Sequence, residues 1–140
     1  MEVSVLGAGG EVGRSAILVR GRRKSILLDY GLMFNEHVEF PAHIKPSELD
    51  GVALTHAHLD HSGAIPMIYG SANPPALYTT PLTLELSTLL IADFLNITKE
   101  YVPFEVGEVE RMASNTIAMS LSEELELRRY QGIRSGISNP

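Results

Sequence analysis

Three of the five histidines in this 140-residue chain fall within six consecutive positions, His56-Ala57-His58-Leu59-Asp60-His61, with an aspartate among them. The apolar run Val52-Ala53-Leu54 just before them is short enough for a buried strand, so the cluster is expected on the loop at that strand's carboxyl end. In α/β folds that edge is where sites are built. Spaced two apart on an extended loop, His56 and His58 can aim both imidazoles at one point, and Asp60 and His61 continue the turn toward a second. Imidazole nitrogen with carboxylate oxygen is a zinc-type ligand set, and an open catalytic site needs only some positions filled by protein. Two metals about 3.5–4 Å apart would suit a hydrolase that clamps the attacking and leaving oxygens of a phosphodiester. A lone histidine here would read as part of a solvated loop. Three with an interleaved aspartate, behind a buried strand, read as a metal site.

Bulk properties narrow the class. The length fits one domain at most, and 44% hydrophobic with 20% charged residues is ordinary for a soluble globular protein. No apolar run approaches a membrane span, and no N-terminal pattern suggests a signal peptide. Cysteine is absent, which excludes thiolate zinc ligands, disulfides and a cysteine nucleophile and fits the reducing cytoplasm, the expected location. A formal charge of −6 argues weakly against a nonspecific nucleic-acid coat, but bound metals and local basic patches leave a nucleic-acid enzyme open.

From the amino end, Glu2–Leu6 alternates like a strand and runs into Gly7-Ala8-Gly9-Gly10-Glu11-Val12-Gly13-Arg14. A dinucleotide fingerprint fails here: its sixth position is Val12, and strand-like Ala16-Ile17-Leu18-Val19 follows where a helix should open. A glycine turn passing close beneath a site is expected instead, with Glu11 or Arg14 facing it. Strands at 15–20 and 25–29 are joined by the basic turn Gly21-Arg22-Arg23-Lys24, a phosphate contact or simply a solvated turn. Asp29 closes the second of these strands. A carboxylate there is costly unless paired or hydrogen-bonded, so its expected role is to hold the metal loop by hydrogen bonds, with direct ligation second. Residues 32–50 read as an irregular connection, and neither His37 nor His43 is expected as a ligand. A short helix over 63–69, a strand over 76–79, a weaker helix over 107–114 and an extended 116–120 follow. Thr80-Pro81 predicts the start of a long helix reaching about residue 98. Its stripe Leu82, Leu86, Leu89, Leu90, Phe94 and Ile97 is expected to be core packing.

The pattern His-x-His-x-Asp-His resembles the signature of the metallo-β-lactamase fold, whose members are mostly zinc hydrolases. Gly9 to Ser15, Leu27-Leu28-Asp29-Tyr30-Gly31, the run from Leu54 to Pro66 and Tyr78 to Thr83 occur in the order seen in β-CASP ribonucleases of that fold. That group includes RNase J and the endonuclease subunit of the cleavage and polyadenylation factor, and the chain looks most like archaeal members, over about residues 3–120. The resemblance implies an α/β fold, the N-terminal half of a metallo-β-lactamase αββα sandwich, and zinc-dependent hydrolysis of RNA phosphodiesters. It implies that His56 and His58 bind one of two zinc ions and that Asp60 and His61 bind the other. Asp60 would also orient the attacking hydroxide, with Asp29 and Thr55 in supporting positions.

Full members add further histidine and aspartate ligands downstream, whereas this chain has no histidine beyond His61 and lacks the β-CASP cap. Residues 1–140 are therefore expected to form a partial domain that is incomplete or inactive by itself, prone to self-association or completed by a partner chain. Residues 121–140 are expected to be a divergent tail, either the product of a frameshift or premature end, or a small phosphate-contacting patch of Arg128, Arg129 and Arg134. Two other readings stand beside the ribonuclease: a non-catalytic metal-binding or assembly fragment, and a hydrolase of a small ester, thioester or lactam.

Overall fold

The computed structural model describes residues 1–120; the tail expected at 121–140, with its arginines, lies outside the described residues. Eight strands and three α-helices follow one another: β1 Glu2–Gly7, β2 Ala16–Arg20, β3 Ser25–Leu28, β4 Met33–Phe34, β5 Val38–Glu39, β6 Gly51–Ala53, α1 Leu59–Ser62, β7 Leu77–Thr79, α2 Pro81–Ile97, α3 Val106–Ser114 and β8 Thr116–Ala118. Six strands form one sheet in the order β1-β2-β3-β6-β7-β8, with β4 and β5 a separate small hairpin. The first two pairings are antiparallel and the next three parallel, so β3, β6, β7 and β8 run the same way. Parallel neighbours need crossovers: the β4–β5 hairpin and a 3-10 turn carry the chain from β3 to β6, and helical segments carry it from β6 to β7 and from β7 to β8.

The sheet separates two very different faces. Leu18, Leu27, Val52 and Leu77 are fully buried and pack with Ile65, Ile68, Tyr69, Ile91, Val109 and Met112 from the helical side. On the other face the register aligns Val5, Ile17, Leu28, Ala53, Tyr78 and Ile117 in one row across all six strands, and none of them is buried. Val3, Val19 and Ile26 make a shorter row beside it. Strands buried on both faces read as near-continuous apolar runs, as β2 and β3 do. Among the described residues the architecture is a single α/β layer pair with no second layer on the other sheet face, which agrees with the expected half-sandwich.

Three sequence expectations need correction. The long helix lies where expected, with the Thr80 hydroxyl accepting from the Thr83 amide and proline in the first turn. Its leucine stripe is not core packing, however: Leu82, Leu86, Leu89, Leu90 and Ile97 are exposed, and only Phe94 of that set is buried. The inner face is Ser87, Ile91 and Phe94, with Leu84 and Leu95 partly buried beside them. Residues apolar on both sides of a helix fit two stripes equally well, and spacing alone does not choose between them. Second, the helix expected over 63–69 is the turn α1 followed by a 3-10 helix at Ile65–Gly70. Pro66 has no N–H to continue an α-helical ladder. Third, residues 32–50 hold the β4–β5 hairpin and a 3-10 turn at Pro46–Glu48. Phe34 meets the Phe94 ring edge-on, and the Glu100 carboxylate accepts from the Val38 amide and meets His37 Nδ1. Both contacts hold the hairpin to the carboxyl end of α2. The Val38 amide first, and then His37, keep the Glu100 carboxyl below its ordinary range.

The open sheet face should report itself in solution. The purified chain is expected to self-associate and to bind an apolar dye, and Val5→Lys with Ile17→Lys to reduce both while changing stability by no more than about 1 kcal/mol each. Sedimentation and dye fluorescence test this; a strictly monomeric, sharply cooperative, dye-silent wild type would contradict it.

Candidate metal centre

The cluster lies at the carboxyl end of β6, where β3, β6 and β7 all point their chain ends. His56 and His58 sit on the extended segment after the strand, but Asp60 and His61 belong to α1 rather than to a loop. His56, His58 and Asp60 bring one ligand atom each to within 4.8 Å of one another. His61 stands beside them, its ring centroid 4.0 Å from that of His56 and its Nε2 3.8 Å from Asp60 Oδ2. The structure thus gathers all four expected residues, with Asp60 within reach of both the His56–His58 pair and His61.

Asp29 organises the back of this cluster. It is only 5% exposed and accepts the Thr55 amide at 2.8 Å on Oδ1. Its Oδ2 meets the Thr55 hydroxyl and His61 Nδ1, each at 2.8 Å. The Thr55 Oγ1 also lies 3.0 Å from His56 Nδ1. Donor and acceptor rules then fix both imidazoles. A carboxylate only accepts, so the Thr55 hydroxyl and His61 Nδ1–H both donate to it. The Thr55 oxygen, its own hydrogen committed, accepts from His56 Nδ1–H. Each ring is left with Nε2 as its free lone pair, the arrangement in which histidine ligates a cation. Asp29 reaches this position with φ at 59°, a left-handed conformation that aspartate tolerates better than most residues.

The backbone of α1 is clamped just as firmly. The carbonyls of Leu59, Asp60 and His61 accept from the amides of Leu32, Ser15 and Tyr30 respectively, at 3.0, 2.8 and 2.9 Å. A turn this short has few hydrogen bonds of its own: these donors satisfy the Asp60 and His61 carbonyls and give the Leu59 carbonyl, which already accepts the Gly63 amide at 2.9 Å, a second partner. Gly31 makes the approach possible: a Cβ there would lie 1.7 Å from the Asp60 carbonyl oxygen and 2.6 Å from the His61 nitrogen. Buried Ser62 ties the other side, donating to the Ala57 carbonyl at 2.8 Å. The sequence reading missed Gly31, Ser15 and Ser62. The one available signal was that Gly31 follows so closely on the costly Asp29.

Other candidates resolve differently. The glycine loop does pass beneath the site, through the Ser15 amide; Gly10 and Gly13 take positive φ freely, whereas Ala8 and Arg14 do so at a cost. Arg14 and Glu11 pair with each other, and Arg14 also donates to the Phe40 carbonyl at 3.2 Å. The basic turn at 21–24 joins the amino end of β3, the opposite end from Asp29, so it lies a strand's length from the cluster. His37 pairs with Glu100, and His43 is exposed.

Imidazoles presenting Nε2 at His56 and His61, with His58, a carboxylate and partial exposure, fit a divalent cation of the borderline class. A family model described as the Metallo-beta-lactamase superfamily matches residues 9–119. Among curated relatives, RNase aCSPSF2 of Saccharolobus solfataricus is 37% identical over 127 residues, covering 89% of this chain and 26% of its own. Probable RNase MJ4 of Methanocaldococcus jannaschii is 31% identical over 89% of this chain and 30% of its own. Transcription termination factor FttA of a Lokiarchaeum species is 37% identical over 86% of this chain and 20% of its own. The chain spans less than a third of the length of each of these relatives.

The clamp on α1 makes a specific demand of residue 31. Gly31→Ala is expected to lower stability by about 1–3 kcal/mol through overpacking and to weaken binding of a divalent metal severalfold. Gly21→Ala, whose added Cβ would meet the Lys24 carbonyl oxygen at an ordinary 3.6 Å, should leave metal binding unchanged. Thermal unfolding and metal-binding calorimetry on both variants make the comparison.

Proposed function

The chain belongs to the metallo-beta-lactamase superfamily, and from that premise we propose that it provides the ligand-bearing part of a zinc-dependent RNA phosphodiester hydrolase of the β-CASP type. The observation that carries this reading is the Asp29 network, which leaves Nε2 of both His56 and His61 free beside Asp60 and His58. His56 and His58 would hold one zinc ion and His61 a second, with Asp60 placed to serve both. A metal pair, when bound, supplies Lewis acidity toward water and toward the scissile phosphoryl group.

The remaining chemistry belongs to the chain's own residues. Asp29 holds His61 in the tautomer that presents Nε2, and Thr55 does the same for His56. The carboxylate of Asp60 is available to accept a proton from, or orient, an attacking water. The backbone clamp from Ser15, Tyr30 and Leu32 keeps these groups in place without reorganisation as charge develops, which is where preorganised sites gain most. RNA is the proposed substrate and the cytoplasm the proposed compartment. Among the described residues, no helix is long and apolar enough to cross a membrane.

A second reading, a non-catalytic metal-binding or assembly part, draws support from the uncovered sheet face. The two readings separate on activity. Four candidate ligands shared by two ions leave each about two protein groups short of a closed tetrahedral shell. Zinc binding by the chain is therefore expected to be weak. His58→Ala should reduce it severalfold and His43→Ala should not; calorimetry giving equal losses for both would remove the ligand assignment.

Hydrolysis of single-stranded RNA by the purified chain with zinc is expected to be slow and to disappear in Asp60→Ala. Gel analysis of labelled RNA checks this. Cleavage that survives Asp60→Ala would refute the role of Asp60, and no zinc-dependent cleavage at all would leave the assembly reading.

A further inference from the structure

Two short segments, residues 14–15 and 31–32, are bonded to each other and to α1 at once. The Arg14 amide donates to the Leu32 carbonyl at 3.3 Å, and the Gly31 amide to the Ser15 carbonyl at 2.9 Å. Each segment also gives one amide to α1, Ser15 to the Asp60 carbonyl at 2.8 Å and Leu32 to the Leu59 carbonyl at 3.0 Å. Arg14 is the strained member of this ring. Its φ of 38° is open to glycine without cost and costs free energy for a residue with a Cβ. The strain is tied to the aim of one bond. In a trans peptide the carbonyl and the next N–H point in opposite directions. The Arg14 carbonyl is turned toward Gly7, where an added Cβ would lie 2.0 Å from its oxygen, so the Ser15 N–H is turned the other way, onto Asp60. Returning Arg14 to the ordinary negative range of φ would rotate that peptide and withdraw the N–H.

A backbone held in a sparsely populated region persists only where its surroundings fix it. Here the fixing contacts come from the guanidinium. Its Nε donates to Glu11 Oε1 in the same loop, and its Nη1 donates to the Phe40 carbonyl at 3.2 Å, in the segment after β5. An arginine fork reaches two acceptors in different directions, which the single ammonium of lysine does not match. Gly13, just before Arg14, leaves room on the loop's other side: a Cβ there would lie 2.9 Å from Met33 Cγ. Neither Glu11 nor Arg14 belongs to the ligand cluster, so the side chain acts on the site only through the backbone.

We propose that Arg14 is a positioning residue for Asp60: anchored by Glu11 and the Phe40 carbonyl, it keeps the Arg14–Ser15 peptide in the conformation that aims the Ser15 N–H at the Asp60 carbonyl. Through that bond it sets where the Asp60 carboxylate stands relative to His56 and His58. The consequence for metal rests on the reading of Asp60 as a group serving both ions; the consequence for the backbone does not. His61 is held from the other segment, through the Tyr30 amide, and is not expected to follow Arg14.

Amide hydrogen exchange on the metal-free chain, read by NMR, tests the backbone step. Arg14→Ala is expected to lower the protection of the Ser15 amide roughly tenfold and to leave that of the Tyr30 amide unchanged. Arg14→Gly, which adopts the same φ without strain, should recover part of the loss. Glu11→Ala removes one anchor at an exposed position and should give a smaller loss in the same direction. Equal losses at Ser15 and Tyr30, or Arg14→Gly no better than Arg14→Ala, would overturn the proposal, because the arginine would then stabilise the loop in general. Unchanged Ser15 protection in Glu11→Ala would overturn it even where Arg14→Ala does not fold. Titration with cobalt(II), followed by its visible absorption, tests the step to the carboxylate. Arg14→Ala should weaken cobalt binding severalfold in the native background and have no effect in Asp60→Ala, which keeps the carbonyl and loses the carboxylate. Normal cobalt binding that Arg14→Ala leaves unmoved would overturn the role of Arg14 alone. A native chain that binds no cobalt would overturn the metal reading, and with it the step to the carboxylate.

Discussion

The carboxylate of Asp29 is the group on which the rest of this arrangement depends. A buried charge without partners is among the costliest features a fold can carry, several kcal/mol even after relaxation. Here the cost is offset by donors that are themselves parts of the site: the Thr55 amide and hydroxyl and His61 Nδ1. Hydrogen bonds to a charged acceptor contribute roughly 1.5–3 kcal/mol each. The same contacts that make Asp29 tolerable therefore make the cluster rigid, and loosening either would loosen the other. Sheet register transmits this: β3 pairs Leu28 with Ala53 of β6, and the Asp29 amide donates to the Ala53 carbonyl. That bond places the carboxylate level with the first residues after the neighbouring strand.

How far the sequence revealed this follows from where the information is stored. The histidine cluster is local, so its composition and its place behind an apolar run were enough to find it. Asp29 was legible because burying a carboxylate requires an explanation, and the explanation proved to be the metal loop 26 residues away. The role of Gly31 was not legible, because it depends on the Asp60 backbone arriving within a van der Waals radius, a fact of tertiary structure. The inner face of α2 was hidden for a different reason. Its start could be read from Thr80-Pro81, but a helix apolar on both sides gives periodicity no contrast to work with. The basic turn was ambiguous in sequence and was resolved only by strand direction, which puts it at the far end of β3.

Among the described residues, two apolar surfaces without cover stand beside a firmly held ligand cluster, and the unevenness has a physical reading. What fixes His56, Asp60 and His61 is short-range: three backbone bonds to α1, one carboxylate, the hydroxyls of Thr55 and Ser62, and a glycine. None of these contacts involves the open row from Val5 to Ile117 or the outer side of α2. The ligand geometry therefore does not wait for those surfaces to be covered. What covering them changes is the dielectric and the completeness of the shell around any bound cation, hence affinity and rate rather than the identity of the ligands. Part of a metal centre can be preorganised in this way while its power to act resides in whatever closes over it.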